Sequence, residues 1–365
     1  MKSKCRNNAR VIHEYSEYLK EARSLDDSTI DGVLKSINRF EEHTNYLDFS
    51  RFKAKYAIAF KKQIQTQKSL VTGEVLSKST VLTTINHLKA FFQYLATQKG
   101  YRAKISYSDI EYFNLSEKYK RAANGKSKKS VATIEQIIKT LEVMPCTTPI
   151  ELRDRAVVAF ILLTGARDRA VTSLKLKHLD LNERGVYQDG RTVLTKFRKT
   201  ISSYFFPVGE LPVTILEEWV DYLTSELGYT ENSPLFPATK VILDRKRQFT
   251  AGGLEEKHWS TASPIRKIFK QAFALSGMQY YKPHSFRNTL VRLGEKICRT
   301  PEEFKAWSQN LGHQSVLTTF YSYGDVPDRK QAELLRKLAE PKPIPNQSDV
   351  ELLQRMMDLA RDQGI

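Results

Sequence analysis

The chain has 365 residues, room for two ordinary domains each with its own core. Its 58 Lys and Arg against 41 Asp and Glu leave a formal charge of +17, an excess that favours a polyanionic partner, nucleic acid first. A composition 41% hydrophobic and 27% charged excludes a disordered chain, and no apolar run approaches the roughly 20 residues of a membrane span.

The start, Met1-Lys-Ser-Lys-Cys5, lacks the apolar core of a signal peptide. Cys5, Cys146 and Cys298 are far apart and odd in number, with no disulfide framework or metal-ligand spacing. A cytoplasmic protein without metal or cofactor is expected.

Residues 10 to 105 read as helices. Val11, Ile12, Tyr15, Tyr18 and Leu19 recur at helical spacing until Ser24-Leu-Asp-Asp-Ser28 interrupts them. Ile30, Val33, Leu34, Ile37 and Phe40 mark a second stripe, with Ser28 as its expected N-cap. A third helix is expected over Ala54 to Gln67. After the Thr72-Gly73 turn, Ser79 is expected to cap a long fourth helix carrying Leu82, Ile85, Leu88, Phe91, Phe92 and Leu95, closed at Gly100. Four such helices make a small bundle. Lys53, Lys55, Lys61, Lys62, Lys68, Lys78, Lys89 and Lys99 stud it. Gathered on one face they would contact phosphates; scattered, they are a solvated surface, and spacing alone does not choose.

Residues 114 to 132 read as a basic linker in which Lys118, Lys120, Arg121, Lys126, Lys128 and Lys129 crowd around Ala122-Ala-Asn-Gly125. Such a connector can lie across a DNA backbone. Thr133 is the expected N-cap of a helix over Ile134 to Leu141, and the dense apolar run from Arg155 to Leu163 reads as a buried helix. It ends at Thr164-Gly-Ala-Arg167, where the glycine turn mounts a fixed charge on a rigid element. Short β-prone runs follow at Val186-Tyr187, Thr192 to Thr195 and Ser203 to Pro207, with Lys196 at the end of the second and Arg198 and Lys199 in the turn beyond. Leu211 to Leu227 and Ile265 to Leu275 are helical, with a loop at Ser233-Pro-Leu-Phe-Pro237.

The stretch from Lys282 to Tyr323 concentrates the chemistry. In Lys282-Pro-His-Ser-Phe-Arg287 a helix opened by Pro283 puts His284 and Arg287, three apart, on one face. A fixed guanidinium beside an imidazole suits a phosphodiester oxygen. Leu311-Gly-His313 adds a second imidazole after a helix end that Gly312 can close in the left-handed conformation. Tyr321 and Tyr323 then flank Ser322. A phenol with its ordinary pKa near 10 attacks only beside positive charge. Beyond it, Asp328 to Ala339 is helical, Pro341, Pro343 and Pro345 break the chain, and Val350 to Ala360 is a short amphipathic helix.

Thr-Gly-Ala-Arg167, a hairpin lysine at Lys196, His284-Ser-Phe-Arg287, Leu-Gly-His313 and a downstream tyrosine stand in the order of the tyrosine recombinases, the phage-integrase family, which the chain resembles over roughly 133 to 340. The resemblance implies that Arg167 and Arg287 hold the scissile phosphate, that His284 and His313 assist proton transfer, and that Lys196 protonates the leaving 5′ oxygen. A tyrosine attacks phosphorus and becomes a 3′-phosphotyrosine, so no ATP and no metal is required. Two departures stand out. The family often has Glu three residues after the first Arg, where this chain has Ala170. The usual spacing from the second His reaches Ser322; we assign the nucleophile to Tyr323, one residue on, ahead of Tyr321.

The expected architecture is mainly α with a small β-sheet: a DNA-binding helical bundle over 1–113, the basic linker 114–132, an α+β catalytic domain over 133–340 and a tail helix in 341–365. The expected function is site-specific recombination of duplex DNA at attachment or recombination sites by a homo-oligomer, a tetramer in the synapse, with no membrane involved. A catalytically impaired DNA-binding protein of the same fold and a type IB topoisomerase-like enzyme are the alternatives.

Overall fold

A computed structural model describes residues 5–69, 72–125, 130–243 and 248–313. The chain divides into two compact units, 1–127 and 128–365.

The first unit is all helical: α1 (Arg6–Glu17), α2 (Asp27–His43), α3 (Ala54–Thr66), α4 (Lys78–Leu95), α5 (Tyr107–Ile110) and α6 (Glu117–Asn124). α4 forms where Val81, Ile85, Leu88, Phe92 and Leu95 build one buried stripe. Its cap is Ser77, which accepts from the Thr80 N–H, rather than Ser79. α2 likewise starts earlier than expected, with Asp26 as N-cap. Gly100 lies beyond the end of α4, in a turn with φ +87°. The core is aromatic: the Phe52 ring stacks on Phe92 at 4.0 Å and on Phe113 at 5.4 Å, and Phe40 meets Phe60 edge-on. α6 occupies part of the span expected to be a free connector. Ser116 caps it and Tyr119 packs on the first core, enough to order these eight residues.

The second unit contains α7 (Ile134–Val143), α8 (Pro149–Thr164), α9 (Asp168–Val171), β1 (Leu179–Asp180), β2 (Gly185–Gln188), β3 (Ile201–Tyr204), α10 (Leu211–Asp221), β4 (Ala238–Leu243), β5 (Phe249–Glu255), α11 (Ser263–Leu275), α12 (Pro283–Ile297) and α13 (Pro301–Asn310). α8 is its axis. Thr148 and Glu151 close a capping box at its start, and every residue from Ala156 to Thr164 is buried. A helix apolar on all sides must be surrounded, and α7, α10, α11 and α12 pack around it. β1, β2 and β3 form an antiparallel sheet in that order, with Gly185 opposite Tyr204 and Gln188 opposite Ile201. The fold is mainly α with two small antiparallel sheets.

Two sequence expectations fail here. Thr192 to Thr195 is not a strand: the Asp189 carbonyl accepts from the Thr192 and Val193 N–H groups, and this turn aims Val193 into the core. The second sheet, β4 paired with β5, was unforeseen. Its residues Val241, Leu243 and Phe249 are more than half exposed, so no inward–outward alternation marks it in the sequence. The expected tail helix, the helix over 328–339 and the tyrosine segment lie outside the described residues.

Candidate active site

The site is built where four chain segments of the second unit end or begin. The C-terminus of α8 is capped by Gly165 at φ +61°, and a Cβ there would lie 2.8 Å from a Leu311 methyl. Only glycine satisfies both the left-handed turn and the close approach. The chain then extends through Arg167, the N-cap of α9. Arg167 is half-buried, and its guanidinium makes no hydrogen bond or ion pair among the described residues.

Arg287 is held instead. Pro283 opens α12, as the sequence predicts, and places Arg287 one turn in with 3% of its surface exposed. Its Nη1 donates to the Gly165 carbonyl and its Nη2 to the Leu311 carbonyl. The guanidinium therefore bridges the ends of α8 and α13 with two of its five N–H groups. His284 stands on the same face of α12, at the open edge of the site.

His313 follows α13 through Gly312 at φ +66°, the left-handed helix end expected from Leu311-Gly-His313. A Cβ on Gly312 would lie 2.8 Å from Ile201 Cδ1, so this turn and β3 touch. Asn310 fastens the contact: its Nδ2 donates to the Tyr204 carbonyl at 2.8 Å, its Oδ1 accepts from the Tyr204 N–H, and its own carbonyl accepts from Ser203 Oγ at 2.9 Å. Asn310 carries no chemistry and sequence reasoning missed it; no local signal marks an asparagine that reaches across 106 residues.

The connection between β2 and β3 brings Lys196 to the site on a short 3₁₀ turn, Lys196–Arg198, where Phe197 and Arg198 both take positive φ. Lys196 and Lys199 are both exposed.

The charges act on one another. Burial, and then the Arg287 and Arg167 charges, push His313 down to about 4. Burial followed by Arg167 pushes Arg287 down to about 9, still charged at neutral pH. Loss of solvent on its inner side, then Arg287 and Arg167, lowers His284. Burial lowers Arg167. Lys199 adds to the field on His313, and Lys196 to that on His284. Asp168 offsets part of this, and Arg266 of α11 pairs with it at 2.9 Å. Two guanidiniums and two neutral imidazoles, with two lysines near enough to act on the imidazoles, form a candidate anion-binding site.

The structure thus brings together Arg167, Lys196, His284, Arg287 and His313. Tyr323, Tyr321 and Ser322 lie outside the described residues, as do Lys126, Lys128 and Lys129. Lys118 and Arg121 are exposed on α6, and Lys120 pairs with Glu117 at 2.7 Å.

The chain is similar to known proteins. The phage integrase family model matches residues 130–329. "Tyrosine recombinase XerD" of Listeria monocytogenes is 22% identical over 310 residues, which is 85% of this chain and 92% of that protein. "Tyrosine recombinase XerC" of Lactobacillus leichmannii is 26% identical over 253 residues, 68% of this chain and 73% of that one. Among solved structures, a lambda integrase (75–356) dimer bound to a COC′ core site superimposes with a TM-score of 0.56 at 14% identity, covering 93% of this chain and 99% of that one. XerH site-specific recombinase bound to palindromic difH substrate gives 0.56 at 17% identity, covering 90% and 85%. With the family model spanning more than half of the chain and the clamp residues inside it, the chain belongs to the phage integrase family of tyrosine recombinases.

Proposed function

We propose that this chain is a site-specific DNA recombinase that cuts and rejoins duplex DNA through a 3′-phosphotyrosine. The observation that supports the reading is Arg287, anchored to the Gly165 and Leu311 carbonyls, with Arg167, His284 and His313 close enough to act on one another electrostatically. Two preorganised guanidiniums neutralise the charge that develops on the non-bridging oxygens of the transition state, where electrostatic stabilisation acts most strongly. The tyrosine, assigned to Tyr323, attacks phosphorus. A neutral imidazole takes the phenolic proton, and a lysine of the β2–β3 connection, for which the sequence marks Lys196, protonates the departing 5′ oxygen. The phosphotyrosine keeps the bond energy, and a 5′-hydroxyl of another strand reverses the step.

The partner is double-stranded DNA carrying attachment or recombination sites, met in the cytoplasm. Lys118, Lys120 and Arg121, with Lys126, Lys128 and Lys129, run along its backbone between a DNA-binding bundle (1–113) and the catalytic domain (133–340). A lambda integrase of similar fold, TM-score 0.55, is a tetramer bound to a Holliday junction; we propose a homo-tetramer on DNA here as well, with the 341–365 tail docking on a neighbour.

The test is incubation with nicked duplexes carrying candidate attachment sites, followed by denaturing gels. A protein-linked DNA band is expected. Binding without such a band on any bound site would favour a catalytically impaired binder, and sequence-independent relaxation of supercoils by the monomer would favour a topoisomerase.

A further inference from the structure

Arg167 and Arg287 are held by different means. Arg287 is fixed through its own guanidinium. The Arg167 guanidinium has no such bonds among the described residues, so its direction is set by the backbone that carries it. The Arg167 carbonyl accepts from the Ala170 N–H at 2.8 Å and the Val171 N–H at 3.1 Å, both local to α9. Ala170 is buried and has no polar side chain to tie α9 to the rest of the unit. Asp168 supplies that tie. Its Oδ1 accepts from the Arg169 N–H at 3.0 Å, and its Oδ2 accepts from Nε of Arg266, 98 residues on, at 2.9 Å.

Arg266 stands on α11, and α11 also supports the other half of the clamp. Phe269, three residues after Arg266, is fully buried, and its ring centre lies 4.9 Å from that of Phe286. Phe286 directly precedes Arg287 on α12, and Phe273 meets the same ring edge-on at 6.2 Å. One helix therefore carries both the residue that holds Asp168 and the rings against which the His284–Arg287 turn packs. The pair is 58% exposed at Arg266 and 23% at Asp168, so it is solvent-screened and its effect is local to the segments it joins. The Asp168 charge nevertheless reaches the site, where it acts on His284 against the two arginines. A carboxylate beside a phosphate clamp opposes an anion, so charge alone would favour a neutral residue at this position.

We infer that Asp168 is a positioning residue that, through its pairing with Arg266, sets α9 and with it the Arg167 guanidinium at a fixed place relative to Arg287. This rests on the recombinase reading and adds to it a residue that acts through Arg167. A phosphate held by two guanidiniums needs both at hydrogen-bond distance from its non-bridging oxygens at once. A displacement of about 1 Å at one of them can slow the chemical step by on the order of 10² while other contacts still bind the duplex. The two effects of Asp168 have opposite signs: as a tether it aids the step, and as a charge it opposes it. Its removal slows cleavage if the tether dominates and speeds cleavage if the charge does.

The test uses the full chain and the duplex sequence it selects from a randomised pool, nicked near the cleavage point mapped with the wild type. Adduct formation is timed at saturating protein, and affinity is measured separately. Asp168→Asn, which keeps the size and removes the charge, should slow adduct formation by roughly 10–10²-fold and leave affinity within about twofold of wild type. Arg266→Gln should do the same from the other side of the pair. In an Arg167→Ala background Asp168→Asn should add no more than about twofold, because residues that act through one group are not additive. Faster or unchanged adduct formation in Asp168→Asn overturns this inference alone, as does equal slowing by Asp168→Asn in the wild-type and Arg167→Ala backgrounds. Loss of affinity in Arg266→Gln with a shallower salt dependence and an unchanged rate at saturation makes Arg266 a phosphate contact and overturns it too. Absence of any adduct from the wild type overturns the recombinase reading, and this inference with it.

Discussion

Two groups of basic residues, one in each unit, are handled in opposite ways. In the first unit three lysines of the bundle are consumed by the fold. Lys89 Nζ pairs with Glu111 at 2.9 Å and donates to Asn114 Oδ1, Lys61 donates to the Asn114 carbonyl, and Lys53 lies 3.9 Å from Asp109. All three fasten the 109–114 segment to the bundle, so the question left open by their spacing resolves for them toward structure. In the second unit Arg167, Arg287, His284 and His313 lie close together, and burial first, then the arginine charges, lowers Arg287 and both imidazoles. A fold gains nothing from such repulsion. A cation that a carboxylate neutralises is explained by stability, whereas buried arginines set beside one another mark a candidate anion-binding site.

The largest test of that contrast removes the attacking group and leaves the clamp. Tyr323→Phe should abolish the covalent adduct while DNA binding stays within about 0.5 kcal/mol of wild type, the scale of a substitution that disturbs nothing else. An adduct that survives in Tyr323→Phe and disappears in Tyr321→Phe would move the nucleophile by two residues.

Next come the two arginines, which should separate. Arg167→Ala and Arg287→Ala should each slow cleavage by on the order of 10²–10³, as loss of a transition-state donor does. They should differ in stability. Arg167 has no described hydrogen-bond partner, whereas Arg287 satisfies the Gly165 and Leu311 carbonyls in the interior. Leaving buried acceptors unpaired costs about 1–3 kcal/mol each, so only Arg287→Ala should lower the melting temperature by several degrees. Equal melting temperatures would mean that the bridge between α8 and α13 does not matter to the fold.

Why the clamp was legible and its supports were not follows from the range of the interactions. Gly165, Pro283 and Gly312 act on their own backbone, so their roles can be read from neighbours in sequence. The His284–Arg287 spacing is likewise local to one helix turn. The Asn310–Tyr204 bonds, the Ile201–Gly312 contact and the Asp168–Arg266 pair join residues far apart in the chain, and no periodicity encodes them. α13 had a local signal that went unused: Thr300 and Glu303 form a capping box around Pro301. β4 and β5 lacked one, because their apolar residues are exposed rather than alternating. Lys196 lies in the β2–β3 connection, where the sequence placed it.

A third prediction concerns protons. His313 is held at about 4, chiefly by burial and then by Arg287 and Arg167. Below the ordinary value near 6.5 the unfolded chain binds a proton that folded His313 refuses. Its contribution is therefore fully present above about pH 6.5 and is lost as pH falls toward 4. His284, His178 and His258, also lowered, act with the same sign. A bound phosphate offsets the arginine charges and raises the pKa of His313, so DNA binding at pH 5.5 should take up protons. Calorimetry in two buffers of different ionisation enthalpy measures this uptake, and His313→Asn should reduce it. Uptake unchanged in that variant would place the phosphate away from His313.

The smallest expected effect lies in the first unit and tests the other half of the contrast. Lys89 is about one-quarter exposed and its partner Glu111 about one-half, so their ion pair is largely solvent-screened. Exposed pairs contribute about 0.2–1 kcal/mol. Lys89→Met keeps the aliphatic stem and removes the charge, so the unit should lose no more than about 1 kcal/mol, read from a urea titration of the full chain. The sharper readout is the salt dependence of DNA binding. Each phosphate contact contributes a slope of about 0.9 in log affinity against log salt concentration. If Lys89 serves Glu111 and Asn114, the variant keeps the wild-type slope. A slope reduced by about one unit would show that the ion pair opens on DNA and that a lysine engaged in the free protein is a phosphate contact in the complex. Pairing within the fold would then no longer separate structural cations from functional ones.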